Sequence, residues 1–387
     1  LAQRPDLPAW LKAGPAMVRF NRGWLAKPER IKQWLEQYWG QHFPGRPPLI
    51  VAFWGWEKVD TWITPDYFPV FPSDEQFADL ERFARARNGH AFFWPSGYHY
   101  TLTYDKQADG RFAWDDRARF DQVARPHAVV TREGEVYDQP RSWLRGGHTS
   151  CLCPGDPWTR HWFNHTAVEC ARRGVEIVQV DQVVGGGFPA CYASQHPHPP
   201  GPGLWQTEVF RQQLQTMRAA LRKLQPQAVV CFEEPNEGFL QEVGLQDYRD
   251  WEVMASGGPP IEPASVFNYL YHEYVPTFQS NPREGNRLMA AYCLVNGQMP
   301  HFVPTARFGA GTMPYNGAFE EWNGNVPTGW EKVSGWQGRR FDGRCDRDEA
   351  VVHGGHSSLR LENSAAGEIV QVSQNMPLGS PLVAGQR

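Results

Sequence analysis

Two β-branched stretches that each end on a carboxylate constrain this chain more than any other feature. Residues 174–182 read Gly-Val-Glu-Ile-Val-Gln-Val-Asp-Gln and close on Asp181; residues 228–234 read Ala-Val-Val-Cys-Phe-Glu-Glu and close on Glu233 and Glu234. Between them Phe210, Leu214, Met217, Leu221 and Leu224 recur at helical spacing, the mark of a crossover helix. Parallel strands joined in this way gather their C-terminal ends at one rim of a barrel, so acids placed there face a common space. The same alternation of strand and helix patterns runs through the first 300 residues and predicts an α/β fold, a (β/α)8 TIM-type barrel.

The other elements fit that rhythm with varying clarity. Residues 17–20 read as the first strand, 49–54 as the second and 91–94 as the third. Pro28 opens a helix with Ile31, Trp34, Leu35 and Tyr38 on one face, ended by Gly40. Ser73 with Gln76 forms a capping box for a second helix, striped by Phe77, Leu80 and Ala84 and stopped at Asn88-Gly89. A polar, aromatic excursion then covers residues 96–154, a length that in a compact domain usually signals function. Asp156 as N-cap, Pro157 at the first helical position and Gly174 as stop bracket the helix that leads into the Asp181 strand. After Glu234 a weaker helical pattern covers about 240–251. Residues 265–270 read as a sixth strand, 283–295 as a helix and 301–303 as a seventh strand. No eighth strand is legible, which leaves the barrel open or completed elsewhere. From residue 316 short alternating runs such as Ser358-Leu359-Arg360-Leu361 replace the rhythm, giving a barrel domain over 1–315 and a partial β-sandwich over 316–387.

Composition removes several function classes. A net charge of -4 and a pI near 6.4 supply no basic field for nucleic acid. The longest apolar run, residues 49–54, is too short for a membrane span, and no membrane partner is expected. No signal peptide is legible, although Leu1 in place of methionine and the close at Arg387 read as cut ends. Tryptophan, by contrast, is abundant at 17 residues, with 13 tyrosines and 22 phenylalanines, and flat aromatic faces suit the C–H-rich faces of sugars. Seven cysteines include no CxxC pair; Cys151-Leu152-Cys153 is too tight for a zinc knuckle, and Cys170, Cys231 and Cys293 read as small buried hydrophobes. No cofactor is expected, since Gly185-Gly186-Gly187 has neither the P-loop lysine nor dinucleotide-binding spacing.

Strand alternation puts Val175, Ile177, Gln179 and Asp181 on one face, and Val229, Cys231 and Glu233 on one face of the next strand. The small Cys231 suits a barrel interior and Phe232 the helix layer, which favours Glu233 as the inward acid over Glu234, with Glu237 in the following loop. Two carboxylates on neighbouring strands about 5 Å apart match the pair a retaining glycoside hydrolase needs, one ionised and one protonated. Asp181 is assigned as nucleophile and Glu233 as general acid/base. Trp54, Trp56 and Glu57 after the second strand, Trp94, Tyr98 and His99 after the third, and Tyr271, His272 and Glu273 after the supposed sixth are candidates for sugar subsites, with Gln182 beside the nucleophile. His196 and His198 are assigned to substrate hydrogen bonding; as a metal pair they lack a third ligand in the sequence, and no metal is expected.

The strand Val178-Gln179-Val180-Asp181-Gln182, the loop Cys191-Tyr192 with His196-Pro197-His198, the run Phe232-Glu233-Glu234-Pro235-Asn236-Glu237 and Tyr269-Leu270-Tyr271-His272-Glu273 together resemble a group of bacterial glycosidase-like barrels. These are similar in outline to endo-α-N-acetylgalactosaminidases and more distantly to the α-amylase superfamily. The resemblance covers roughly residues 15–305. It implies a nucleophilic Asp ending strand four and an acid Glu ending strand five, which fall on Asp181 and Glu233. It also implies a carbohydrate substrate and a secreted or periplasmic location. Gln179 stands where the α-amylases carry an arginine, which argues against starch-like substrates. Residues 316–320, Pro327, Gly329-Trp330 and 358–361 resemble the opening of a jelly-roll carbohydrate-binding module. The rival readings are a barrel that binds glycans without cleaving them and a metal-dependent hydrolase built on His196 and His198.

Overall fold

The apolar runs are buried on both faces, which is how strands read when helices cover a parallel sheet. The computed structural model describes residues 4–183, 188–249, 266–282, 287–304, 322–327, 331–332, 335–336, 339–340, 343–350, 357–362 and 372–373. Eight parallel strands form one sheet: β1 (Ala16–Phe20), β2 (Leu49–Phe53), β3 (Gly89–Phe93), β4 (Ile177–Val180), β5 (Val229–Glu233), β6 (Leu245–Tyr248), β7 (Thr277–Gln279) and β8 (His301–Phe302). Each of β1 to β6 pairs with the next, and β8 pairs with β1, Met17 opposite His301. Phe278 of β7 bridges Met299 in parallel, and the Met299 amide donates to the Thr277 carbonyl at 2.8 Å. The sheet thus curls back on itself as a nearly closed (β/α)8 barrel.

Met17, Ile50, Ala52, Phe92, Ile177, Val229, Cys231, Leu245, Phe278 and Met299 fill the interior, and Leu7, Trp10 and Leu11 pack against them. Trp10 stacks on His90 of β3 with ring centroids 3.9 Å apart. Outside, the capping signals act as expected. Ser73 accepts from the Gln76 amide at 3.2 Å ahead of helix Asp74–Arg85, and Asp156 accepts from the Trp158 and Thr159 amides ahead of helix Pro157–Arg172. Helix Leu204–Leu224 buries Phe210, Leu214, Met217 and Leu221. The helix opened by Pro28 widens into a π turn at Trp34–Trp39, so Trp39 joins Trp34 and Leu35 in the core while Tyr38 stays half-buried, and helical backbone continues through Gly40–His42.

Three sequence expectations need correction. The stretch read as a helix over 240–251 contains β6, a four-residue strand buried along Leu245, Gln246 and Asp247. With no exposed face it carries no amphipathic period. Of the supposed sixth strand, residue 265 lies outside the described residues and the rest belongs to helix Val266–Tyr271, whose Asn268 accepts from the Thr277 hydroxyl at 2.6 Å. The pair His301–Phe302 is the eighth strand rather than the seventh, and the strands missing from the sequence reading are β6 and β7.

The excursion after β3 holds a three-stranded antiparallel sheet, His99–Thr101, His148–Cys151 and Gln139–Pro140, and a hairpin of Thr103–Lys106 with Phe112–Asp115. The chain divides into two compact units, residues 1–282 with 287–302, and residues 283–286 with 303–387. In the second, the described strands pair antiparallel: Trp322–Asn323 with Val326–Pro327, Glu331–Lys332 with Val372–Ser373, Gly335–Trp336 with Arg339–Arg340, and Arg344–Asp348 with Ser358–Glu362. The division expected at 315/316 falls outside the described residues. Among those residues no helix is long and apolar enough to cross a membrane.

Candidate active site

Register places the acids. β5 pairs Phe232 with Val180, and Glu233 with Asp247 of β6, so Asp181, Glu233 and Asp247 stand in one row across three adjacent strands. Neighbouring strands lie about 4.8 Å apart, which brings the three carboxyl groups together. One layer below, Gln179 and Cys231 pair, the Cys231 thiol donating to Gln179 Oε1 at 3.2 Å. The Gln179 side-chain amide then donates upward to Asp181 Oδ1 at 3.1 Å and to Asp247 Oδ2 at 3.2 Å.

All three acids are almost withdrawn from solvent, at 4, 2 and 1 % exposure for Asp181, Glu233 and Asp247. Arg249, just beyond β6, ion-pairs with Glu233 and, through Nε, with Glu234 at 3.1 Å. The Gln182 amide donates to the other Glu233 oxygen. Burial and the Glu233 carboxylate hold Asp181 well above the usual carboxyl range, against the pull of Arg249. Burial pushes Asp247 up to about 7, opposed by Arg249 and by the Ser280 hydroxyl, which donates to it at 2.8 Å. Asp247 Oδ1 has no donor among the described residues, which suits a neutral carboxyl. Burial works against the Arg249 charge, but Glu233, Asp247 and Asp181 outweigh it and keep the guanidinium charged.

A cavity of about 300 Å³ opens over this row, lined by Asp181, Gln182, Glu233, Asp247 and Arg249 together with Trp54, Trp62, Trp94 and Trp143. Trp54 meets Trp62 edge-on at 4.7 Å and Trp94 at 5.3 Å, while Trp143 meets Trp62 at 5.6 Å. Arg19, Arg141, Ser280, Asn281, Phe278 and His301 complete the wall. Burial and the nearby Arg19 keep His301 neutral, its pKa well below the ordinary value.

Of the candidate substrate residues, Trp54, Trp94 and Gln182 line this cavity and the others do not. Glu57 lies buried behind it, its carboxyl raised to about 8 by burial and accepting from the Trp62 amide at 2.9 Å, so it props a wall residue. Trp56 stacks on Phe93 in the core, and Tyr98 packs on Phe163 and Phe210. His99 is buried and held neutral, lowered to about 3 by burial. Glu234 pairs with Arg249 from outside the cavity, and Glu237 sits in a 3₁₀ turn on another surface. His272 and Glu273 line a separate groove with Pro15, Pro276 and Pro300, residues that precede strands. They therefore lie at the N-terminal end of the barrel, because a helix rather than a strand precedes them. His196 and His198 meet Cys153 and Cys191 away from the cavity.

Sequence reading missed Asp247, Arg249, Ser280, Trp62 and Trp143. The available signal was Gly244 followed by Leu245-Gln246-Asp247, an apolar residue and an acid two apart, as Cys231 and Glu233 are in the recognised strand before it.

Local backbone geometry supports the row. Gln182 and Glu234, the residues directly after two of the acids, adopt φ of 55° and 62°, a left-handed conformation that costs a non-glycine residue on the order of 1 kcal/mol. Gly97, at φ +56°, lies so close to Asp181 that an added Cβ would sit 2.1 Å from its carbonyl oxygen. Gly97→Ala is expected to cost about 3 kcal/mol or more, read by denaturant unfolding, because both strain and overlap must be relieved.

Several comparisons bear on this fold. The α-N-acetylgalactosaminidase NagBb from Bifidobacterium bifidum superposes with a TM-score of 0.56 at 17% identity, over 78% of this chain and 50% of that one. TtGalA, an α-galactosidase from Thermus thermophilus, gives a TM-score of 0.50 at 14% identity, over 78% of this chain and 59% of that one. The chain thus spans about half the length of the galactosaminidase it matches. At these identities the likeness is one of fold, and at that level the resemblance read from the strand-end motifs holds. No curated protein matches the sequence. The profile of one family, DUF6259, described as a domain of unknown function, matches residues 2–281, which hold seven of the eight barrel strands and all three acids of the row. The chain belongs to the DUF6259 family.

Proposed function

We propose that the barrel is a glycoside hydrolase that cleaves a complex glycan with the carboxyl pair Asp181 and Glu233 and retains anomeric configuration. The observation that carries this reading is the row of three buried acids in one tryptophan-walled cavity. In the proposed reaction Asp181 attacks the anomeric carbon as the bond to the leaving oxygen breaks, and Glu233 gives that oxygen a proton. Water then loses a proton to Glu233 and attacks the same carbon, releasing Asp181. Asp247, neutral up to about pH 7, limits the negative charge packed into the row. The spacing of adjacent strands suits the ~5–5.5 Å separation of retaining enzymes.

The two fold neighbours are named for α-linked galactose and N-acetylgalactosamine, so these are the first sugars to test. Glycans of that kind are met outside the cytoplasm, and we place the protein there. The C-terminal unit, with its antiparallel pairs, is proposed as a glycan-binding module.

One observation favours a second assignment of roles. Arg249 and the backbone amide of Gln182 both contact the Glu233 carboxyl, while burial and Glu233 raise Asp181 well above the usual carboxyl range. In that reading Glu233 attacks and Asp181 donates the proton. Azide separates the two: a variant lacking the nucleophile should yield a glycosyl azide of inverted configuration, and one lacking the acid a retained one. The function itself is tested with a panel of p-nitrophenyl α- and β-glycosides. Release from at least one sugar is expected; tight glycan binding with no turnover on any would replace the hydrolase with a lectin.

A further inference from the structure

The loop after β4 and the end of the excursion after β3 meet in a cluster that the cavity chemistry does not use. One ligand atom each from Cys153, Cys191, His196 and His198 lies within 4.8 Å of all the others. Cys153 Sγ is 3.1 Å from His198 Nε2, and Cys191 Sγ is 3.4 Å from His196 Nδ1. In a tetrahedral zinc site, bonds of about 2.3 Å to sulfur and about 2.0 Å to nitrogen set the ligand atoms roughly 3.3–3.8 Å apart. The two sulfur–nitrogen separations, 3.1 and 3.4 Å, are within a few tenths of an ångström of the roughly 3.5 Å expected for such a pair.

The surroundings fix both rings for it. His196 Nε2 contacts the Pro126 carbonyl at 3.0 Å, and His198 Nδ1 the Pro199 carbonyl at 2.8 Å. A ring nitrogen beside a carbonyl must be the donor, so in each neutral ring the other nitrogen carries its lone pair toward the thiols. His198 also stacks on Trp205 at 3.8 Å, and a Cβ on Gly155 would lie 2.3 Å from its ring, so packing leaves it no room to turn. Soft sulfur and imidazole donors exclude calcium and magnesium and suit zinc.

We propose that Cys153, Cys191, His196 and His198 bind one zinc ion in a closed, four-ligand structural site. It pins the loop that follows Asp181 to the excursion that supplies Arg141 and Trp143 to the cavity. Four protein ligands leave no position for water, so the metal holds the scaffold and takes no part in hydrolysis. Binding displaces the thiol protons into solvent. The third ligand that the His196/His198 pair lacks in the sequence comes from two cysteines, one of them remote along the chain. This proposal is independent of what the cavity does.

The test is elemental analysis of the full chain, purified without a metal-affinity step, followed by exchange with Co²⁺. One zinc per chain is expected, with thiolate-to-cobalt charge-transfer bands and the intense visible bands of a tetrahedral ion. Cys191→Ser and His198→Ala should each lower zinc affinity tenfold or more, and a chelator should lower the thermal midpoint of the wild-type protein. The cobalt spectrum needs no variant, so a variant that fails to fold leaves the test intact. Absence of zinc with no thiolate bands, a Cys153–Cys191 disulfide in the peptide map of protein purified without reductant, or full zinc content in a folded Cys191→Ser protein would each overturn the site.

Discussion

Asp181→Asn is expected to lower turnover of the responsive aryl glycoside by on the order of 10³-fold or more, while the protein melts at the same temperature or a few degrees higher. The two effects share a cause. Asp181 is buried beside Glu233 and Asp247, so its charge is disfavoured in the free protein and becomes useful only when positive charge develops on a sugar carbon. The amide has the same shape and keeps the acceptor for Gln179, which donates to Asp181 Oδ1 at 3.1 Å, yet it can neither attack nor donate a labile proton. Groups that act as a unit in catalysis typically cost this much when one is removed. Relief of buried repulsion is the usual source of stability gained at a functional site. Steady-state kinetics with a thermal melt on the same sample checks both halves. Turnover within tenfold of wild type would remove Asp181 from the chemistry.

Asp247→Asn should change how stability depends on pH, by a large amount. The carboxyl is raised from 3.8 to about 7, chiefly by burial. A raised carboxyl means the folded state binds the proton more tightly than the unfolded chain does. Its contribution is therefore complete below about pH 4 and is lost progressively as pH rises toward 7. At about 1.4 kcal/mol per pH unit, the lost contribution is roughly 4 kcal/mol over that interval. The asparagine variant does not titrate, so its stability relative to wild type should climb by that order between pH 4 and pH 7. Urea unfolding at four or five pH values measures it. A difference that stays flat with pH would mean that Asp247 ionises as it does in the unfolded chain.

How much of this was legible depended on which physical signal each residue left in the sequence. Asp181 and Glu233 could be placed because each ends a run of β-branched or apolar residues whose alternation fixes a face; Gln179 and Cys231 followed from the same alternation. Asp247 and Arg249 could not, because β6 is only four residues long and turns Gln246 and Asp247 into buried positions, so hydrophobicity marks neither of its faces. That error travelled further. Reading residues 265–270 as a strand puts His272 and Glu273 at the C-terminal rim of the barrel, whereas the helix there puts them at the opposite end. Trp62 and Trp143 sit in loops after different strands and approach each other only through the folded excursion. His196 and His198 were recognised as a pair, but the thiols beside them include Cys153 from the far side of helix Pro157–Arg172. Spacing along the chain carries no trace of that meeting.

Covalent trapping shows whether the acid row attacks a sugar. A fluorinated glycoside of whichever sugar the aryl panel selects slows the second step, and peptide mapping by mass spectrometry then locates the bound sugar. One sugar per chain is expected on the peptide that holds Asp181, absent from the Asp181→Asn protein. A label on Glu233 would exchange the two roles within the same row; a label on neither, while the wild-type protein still turns over the parent glycoside with retention, would take the nucleophile out of the row.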